Sequence, residues 1–117
     1  MTNNPVLIKN VLVVDPQSRF NKQRIDLTIV SGKIHINQTV SDAEIIDGSK
    51  LAVSPGLFDF QVTCGEPGYE EKETIQTLAN AALNGGVTGL QLMPNLSPVT
   101  DTRGAVEYIK SLASKTP

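Results

Sequence analysis

The chain has 117 residues, ten basic and twelve acidic, for a net charge of −2, which suits one domain or part of one with a modest core. No basic run and only 4% aromatics, without tryptophan, exclude a nucleic-acid surface and a platform for stacking bases. Cys64 is the only cysteine, so an internal disulfide is excluded, and a reducing cytoplasmic setting fits.

Val6 to Val14 is rich in β-branched residues and ends at Asp15-Pro16. It predicts a strand, or two short strands broken near Asn10. Gln17 to Gln23 is polar and reads as a loop. Arg24 to Val30 alternates, with Ile25, Leu27 and Ile29 on one face. Ser31-Gly32 is a tight turn, and Lys33 to Asn37 answers it as a hairpin partner. Glu44 to Asp47 and Leu51 to Val53 are two more short strands around the turn Gly48-Ser49. The first half therefore reads as a run of short antiparallel strands.

The second half changes character. Pro55-Gly56 opens a strand from Leu57 to Thr63, in which Phe58, Phe60 and Val62 point one way and Asp59, Gln61 and Thr63 the other. Pro67-Gly68 is a second turn. Glu70 to Leu83 places Ile75, Leu78, Ala79 and Ala82 at helical spacing, and Asn84-Gly85-Gly86 stops the helix. Val87 to Met93 is a strand ended by Pro94. Asp101 can cap a second helix whose apolar face is Val106, Ile109 and Leu112 or Ala113. Strand, helix, strand, helix predicts a right-handed parallel βαβ unit. Met1 to Pro5 lacks the apolar core of a signal peptide, and no apolar run approaches the ~20 residues of a membrane helix, so a soluble protein is expected.

Several motifs in this order carry a family resemblance. They are Pro55-Gly56-Leu57-Phe58-Asp59, Glu66-Pro67-Gly68, Lys72-Glu73-Thr74 and Met93-Pro94-Asn95. Together they resemble the dihydroorotase branch of the amidohydrolase superfamily, through nearly the whole chain. That family interconverts carbamoyl-aspartate and dihydroorotate at a zinc site in pyrimidine biosynthesis. The resemblance implies an α/β architecture. Residues 1–54 would be an N-terminal β region, part of a composite domain completed by late strands. Residues 55–117 would be the first two βα units of a (β/α)₈ barrel. A barrel takes about 250 residues, so most of it would be absent here.

The residues that would carry the chemistry depart from the family. Its first barrel strand bears a His-x-His metal pair, followed by an arginine that holds the substrate carboxylate. Those positions are Gln61, Thr63 and Gly65 here. A carboxamide and a hydroxyl are poor zinc ligands, and glycine makes no bidentate contact. The expectation is therefore a chain without catalytic residues, metal or cofactor of its own. The alternative is a fragment of a functional zinc cyclic amidohydrolase whose remaining site lies in a C-terminal segment. The resemblance assigns Asn95 to substrate binding, while its residue type equally suits a turn. It also implies aspartate transcarbamoylase as a structural partner. Open sheet edges imply self-association or pairing with a missing C-terminal segment.

Other candidates have plainer readings. Asp59 is retained from the family, yet a lone Asp commonly accepts hydrogen bonds at a strand start. Cys64 lacks a second strong ligand beside it and reads as a small buried hydrophobe. Glu70, Glu71 and Glu73 read as helix-start acids, which leaves Glu66 unexplained. His35, the only histidine, lies between Ile34 and Ile36 and reads as a half-exposed surface residue.

Overall fold

The computed structural model describes residues 4–116. The chain separates into two compact units, one ending at Pro55 and the other beginning at Gly56.

The first unit is a five-stranded sheet built from β1 (Val6–Val13), β2 (Arg24–Val30), β3 (Lys33–Ile36), β4 (Glu44–Asp47) and β5 (Ala52–Val53). The order is β3-β2-β1-β4, with β5 also on β1. The β2–β3 hairpin forms as the sequence predicts: Ser31 and Gly32 both take positive φ, 49° and 74°, as a tight two-residue turn demands. The sheet is not wholly antiparallel, however. β4 and β5 both run parallel to β1, pairing Val6–Lys9 with Glu44–Asp47 and Leu12–Val13 with Ala52–Val53. Strand direction is set by the connection and not by local pattern, so alternation alone could not reveal it.

The break expected near Asn10 is a bulge. Lys9 and Asn10 together face Asp26, and Asn10 takes φ 57°. The Asp26 carboxylate accepts a hydrogen bond from the Asn10 backbone N–H at 2.9 Å, and the Arg24 guanidinium donates to the Asn10 carbonyl at 2.8 Å. One core gathers Val11, Val13, Ile25 and Leu27, with Ile8, Phe20, Ile29, Ile36 and Val53 packed against it. Leu7 and its cross-strand partner Thr28 are buried outside that cluster, at 1% and 0% exposure. The Thr28 hydroxyl donates to the Gln38 carbonyl, which satisfies its burial. His35 lies opposite Thr28 and is partly buried.

The second unit runs β6 (Leu57–Val62), α1 (Ile75–Asn84), β7 (Val87–Leu92), α2 (Arg103–Ala113). β6 and β7 pair in parallel, as the βαβ reading requires. Gly89 faces Phe58 across the pair, and a β-carbon on it would collide with the Phe58 ring. The core here is Cys64, Ile75 and Leu96, ringed by Leu78, Leu92, Ile109 and Leu112.

Both helices start later than the sequence suggests. α1 begins after Thr74, whose hydroxyl accepts from the Thr77 N–H at 3.1 Å, while the Thr77 hydroxyl accepts from the Thr74 N–H at 3.0 Å. Glu70, Glu71 and Glu73 therefore precede the helix and are not helix-start acids. Thr102, and not Asp101, caps α2, accepting from the Ala105 N–H at 3.2 Å. In both cases a threonine three residues before a satisfied N–H outcompetes nearby acids.

Candidate functional site

The C-terminal ends of β6 and β7 frame a cavity of about 550 Å³. Thr63, Cys64 and Gly65 follow β6, Asn95 follows β7, and Tyr69, Lys72 and Glu73 come from the loop before α1. This is where parallel α/β folds place their chemistry. Of the sequence-nominated positions, the structure brings Thr63, Gly65 and Asn95 to this cavity. Gln61 and Asp59 do not line it: they lie on the exposed strand β6, where the Asp59 carboxylate accepts from the Gln61 N–H at 3.2 Å.

The loop from Gly65 to Glu73 is closed tightly on itself. The Tyr69 N–H donates to the Gly65 carbonyl at 2.6 Å, and the Lys72 N–H to the Tyr69 carbonyl at 2.9 Å. The Ser97 N–H donates to the Pro67 carbonyl at 3.2 Å, tying the loop to the segment after β7. Glu66 finishes the closure, with its carboxylate accepting from the Ile75 N–H at 2.8 Å. So an acid does serve the start of α1, but it arrives from across the loop. Spacing along the helix could not single it out.

Gly65 is buried inside this loop. A β-carbon there would lie 2.5 Å from the Glu73 carbonyl oxygen and 2.9 Å from the Glu73 nitrogen, and would overlap the Tyr69 carbonyl. All three obstacles are backbone atoms, so no rotamer change relieves them. The position that holds an arginine in the resembled family here has no room for any side chain.

Lys72 places its ammonium 4.5 Å from the Tyr69 ring centre, a cation–π contact at the cavity. Sequence reasoning missed this pair, and it missed Leu96. That residue is 4% exposed between polar neighbours, and a single apolar residue in a turn carries no periodic signal.

Burial pushes the Cys64 thiol above its ordinary value of 9.0, and the Glu73 and Glu66 carboxylates push the same way, against opposing backbone N–H groups. The thiol is therefore protonated at neutral pH. Because the folded state holds this proton more tightly, its contribution to stability is present below the ordinary value and lost as pH rises through the folded one. We expect native protein at pH 7.5 to react with iodoacetamide at least tenfold more slowly than urea-unfolded protein; equal rates, followed by mass spectrometry, would contradict this.

The donor set does not suit zinc. Among the described residues no three His, Cys, Asp or Glu side chains cluster. Thr63 offers a neutral hydroxyl, and Cys64 belongs to no cluster of three such ligands among the described residues.

No family model matches the chain. A dihydroorotase of Pelotomaculum thermopropionicum is 42% identical over 115 residues, covering 94% of this chain and 26% of that protein. A dihydroorotase of Solibacter usitatus is 39% identical over 109 residues, covering 90% of this chain and 25% of that protein.

The chain is a homologue of the dihydroorotases.

Among solved structures, the L-hydantoinase (dihydropyrimidinase) of Arthrobacter aurescens superimposes with a TM-score of 0.79 at 25% identity, over 94% of this chain and 25% of that one. The mixed α/β backbone is thus shared with that hydantoinase. The chain spans about a quarter of the length of the curated relatives it matches. No helix among the described residues is long and apolar enough to cross a membrane.

Proposed function

We propose that this is a dihydroorotase-like polypeptide, with a β region over residues 1–54 and the first two βα units of a (β/α)₈ barrel over residues 55–117. On this reading it does not catalyse the cyclic-amide reaction by itself. The observation that carries the reading is the site at the ends of β6 and β7. Gln61 and Thr63 occupy the places of the resembled metal pair, and the loop is closed over Gly65 where the arginine would be. What remains can bind and orient. The Asn95 amide and the Thr63 hydroxyl supply hydrogen bonds to the cavity, and Lys72 supplies one positive charge. Burial holds Cys64 protonated at neutral pH, which makes it a poor nucleophile.

The quarter-length span favours a second reading, a fragment of a longer zinc cyclic amidohydrolase whose other ligands and proton-handling acid lie elsewhere. Both readings give the same result for this chain alone. After dialysis against trace zinc, elemental analysis finds well under one zinc per chain, and dihydroorotate is not hydrolysed. One zinc per chain, lost on Asp59→Ala or Cys64→Ala, would overturn the metal assignment. Turnover by the unaltered chain would overturn the non-catalytic one.

A further inference from the structure

The cavity at the ends of β6 and β7 is lined by one side chain of each charge. Lys72 and Glu73 both belong to its wall, beside the uncharged Thr63, Cys64, Tyr69 and Asn95. Opposite charges next to each other in sequence could cancel by pairing, and here they do not. Among the described residues the one ion pair is Glu107 with Lys110 on α2. The Lys72 ammonium instead lies 4.5 Å from the Tyr69 ring centre, a partner without net charge. Of the four acids in the loop before α1, only Glu73 lines the cavity. The Glu66 carboxylate is engaged by the Ile75 N–H, and that of Glu70 by the Gly68 N–H at 3.0 Å. The Glu73 charge is felt at the cavity wall, where it helps to hold the Cys64 thiol protonated.

This pairing of charges selects among ligands. A simple anion gains from Lys72 and is repelled by Glu73; a simple cation meets the reverse. A molecule with both charges a few atoms apart gains from both. We propose that this cavity binds a free α-amino acid as its zwitterion, with Lys72 on the carboxylate and Glu73 on the ammonium. The Asn95 amide and the Thr63 hydroxyl each donate and accept, so they serve either end. A volume of about 550 Å³ leaves room for a side chain beyond the α-carbon. The proposal rests on the reading of a site that binds without metal or arginine, and it goes beyond that reading by naming the ligand class. It also departs from the resembled family. Carbamoyl-aspartate carries its nitrogen acylated and uncharged, so it offers Glu73 no cation.

The test is a titration of the full 117-residue chain, labelled with ¹⁵N, at pH 7. The probes are L-alanine, propionate, which lacks the ammonium, and ethylammonium, which lacks the carboxylate. We expect L-alanine to move the Lys72, Glu73 and Asn95 amide signals saturably, and each half-probe to bind at least about tenfold more weakly. Lys72→Met and Glu73→Gln should each weaken L-alanine about tenfold, while Lys110→Met on α2 leaves it unchanged. Glu73→Gln should also tighten propionate, because the repelling carboxylate is gone. Propionate binding as well as L-alanine to the unaltered chain would mean a plain anion site and overturn the proposal. So would the absence of a saturable shift up to roughly 50 mM L-alanine, well above millimolar binding. The probe ratio on the unaltered chain decides even if a variant fails to fold. Zinc content and dihydroorotate turnover read the non-catalytic assignment separately, so the two can fail independently.

Discussion

Rebuilding the family motif by Gln61→His, Thr63→His and Gly65→Arg yields no dihydroorotate hydrolysis and a markedly less stable protein. Gln61 and Thr63 are exposed, so the two histidines alone change stability by no more than about 0.5 kcal/mol. They give weak zinc binding at best, because a catalytic zinc takes about three protein ligands and a water. The arginine does the damage. Its β-carbon meets the Tyr69 and Glu73 backbones, and the loop that must yield is tied to α1 through Glu66 and to the segment after β7 through Ser97. Overpacking of this kind costs about 3 kcal/mol. A unit of about sixty residues has roughly 3–9 kcal/mol of stability in all. Urea unfolding of the double and triple variants separates the two effects. A triple variant as stable as the double would show that the loop opens freely. Chelator-sensitive turnover by the triple variant would show that two strands suffice for the site.

Leu96→Ala is expected to have the other large effect. Leu96 is 4% exposed and joins Cys64 and Ile75 at the centre of the second core. Truncating such a leucine removes its transfer energy and leaves a cavity, together about 3 kcal/mol. The adjacent Asn95 is exposed, so Asn95→Ala should change stability by about 0.5 kcal/mol or less. The pair of urea midpoints forms an internal control. Equal midpoints would mean that the segment after β7 is not anchored through Leu96.

Much of this was legible in the chain, for specific reasons. β2 and its hairpin with β3 are local: a period-two pattern and a Ser-Gly turn suffice. The parallel pair β6–β7 follows from an intervening helix, a connection only parallel strands need. The direction of β4 was not legible, because Glu44–Asp47 is only four residues long and its partner lies at the other end of the unit. The closure over Gly65 was not legible either. Glycine at that position reads as a missing arginine, and only the approach of two carbonyls from four and eight residues later turns it into a requirement. Glu66 shares this limit, since what a carboxylate meets across a loop leaves no periodic trace.

The bulge at Asn10 makes strand β1 a two-phase element. Before it, Leu7 faces Thr28 and Ile8 joins the main core; after it, Val11 and Val13 take the core face. One inserted position thus reverses which of the odd and even residues are inward. The left-handed backbone that absorbs the extra residue suits Asn, whereas its neighbour Val11 would pay about 1–2 kcal/mol to adopt it. A slip of one residue would therefore move strain onto a β-branched side chain and turn Leu7 out of its buried place together. The strand is punctuated: its reading frame is fixed from the middle outward, and neither end alone can reset it.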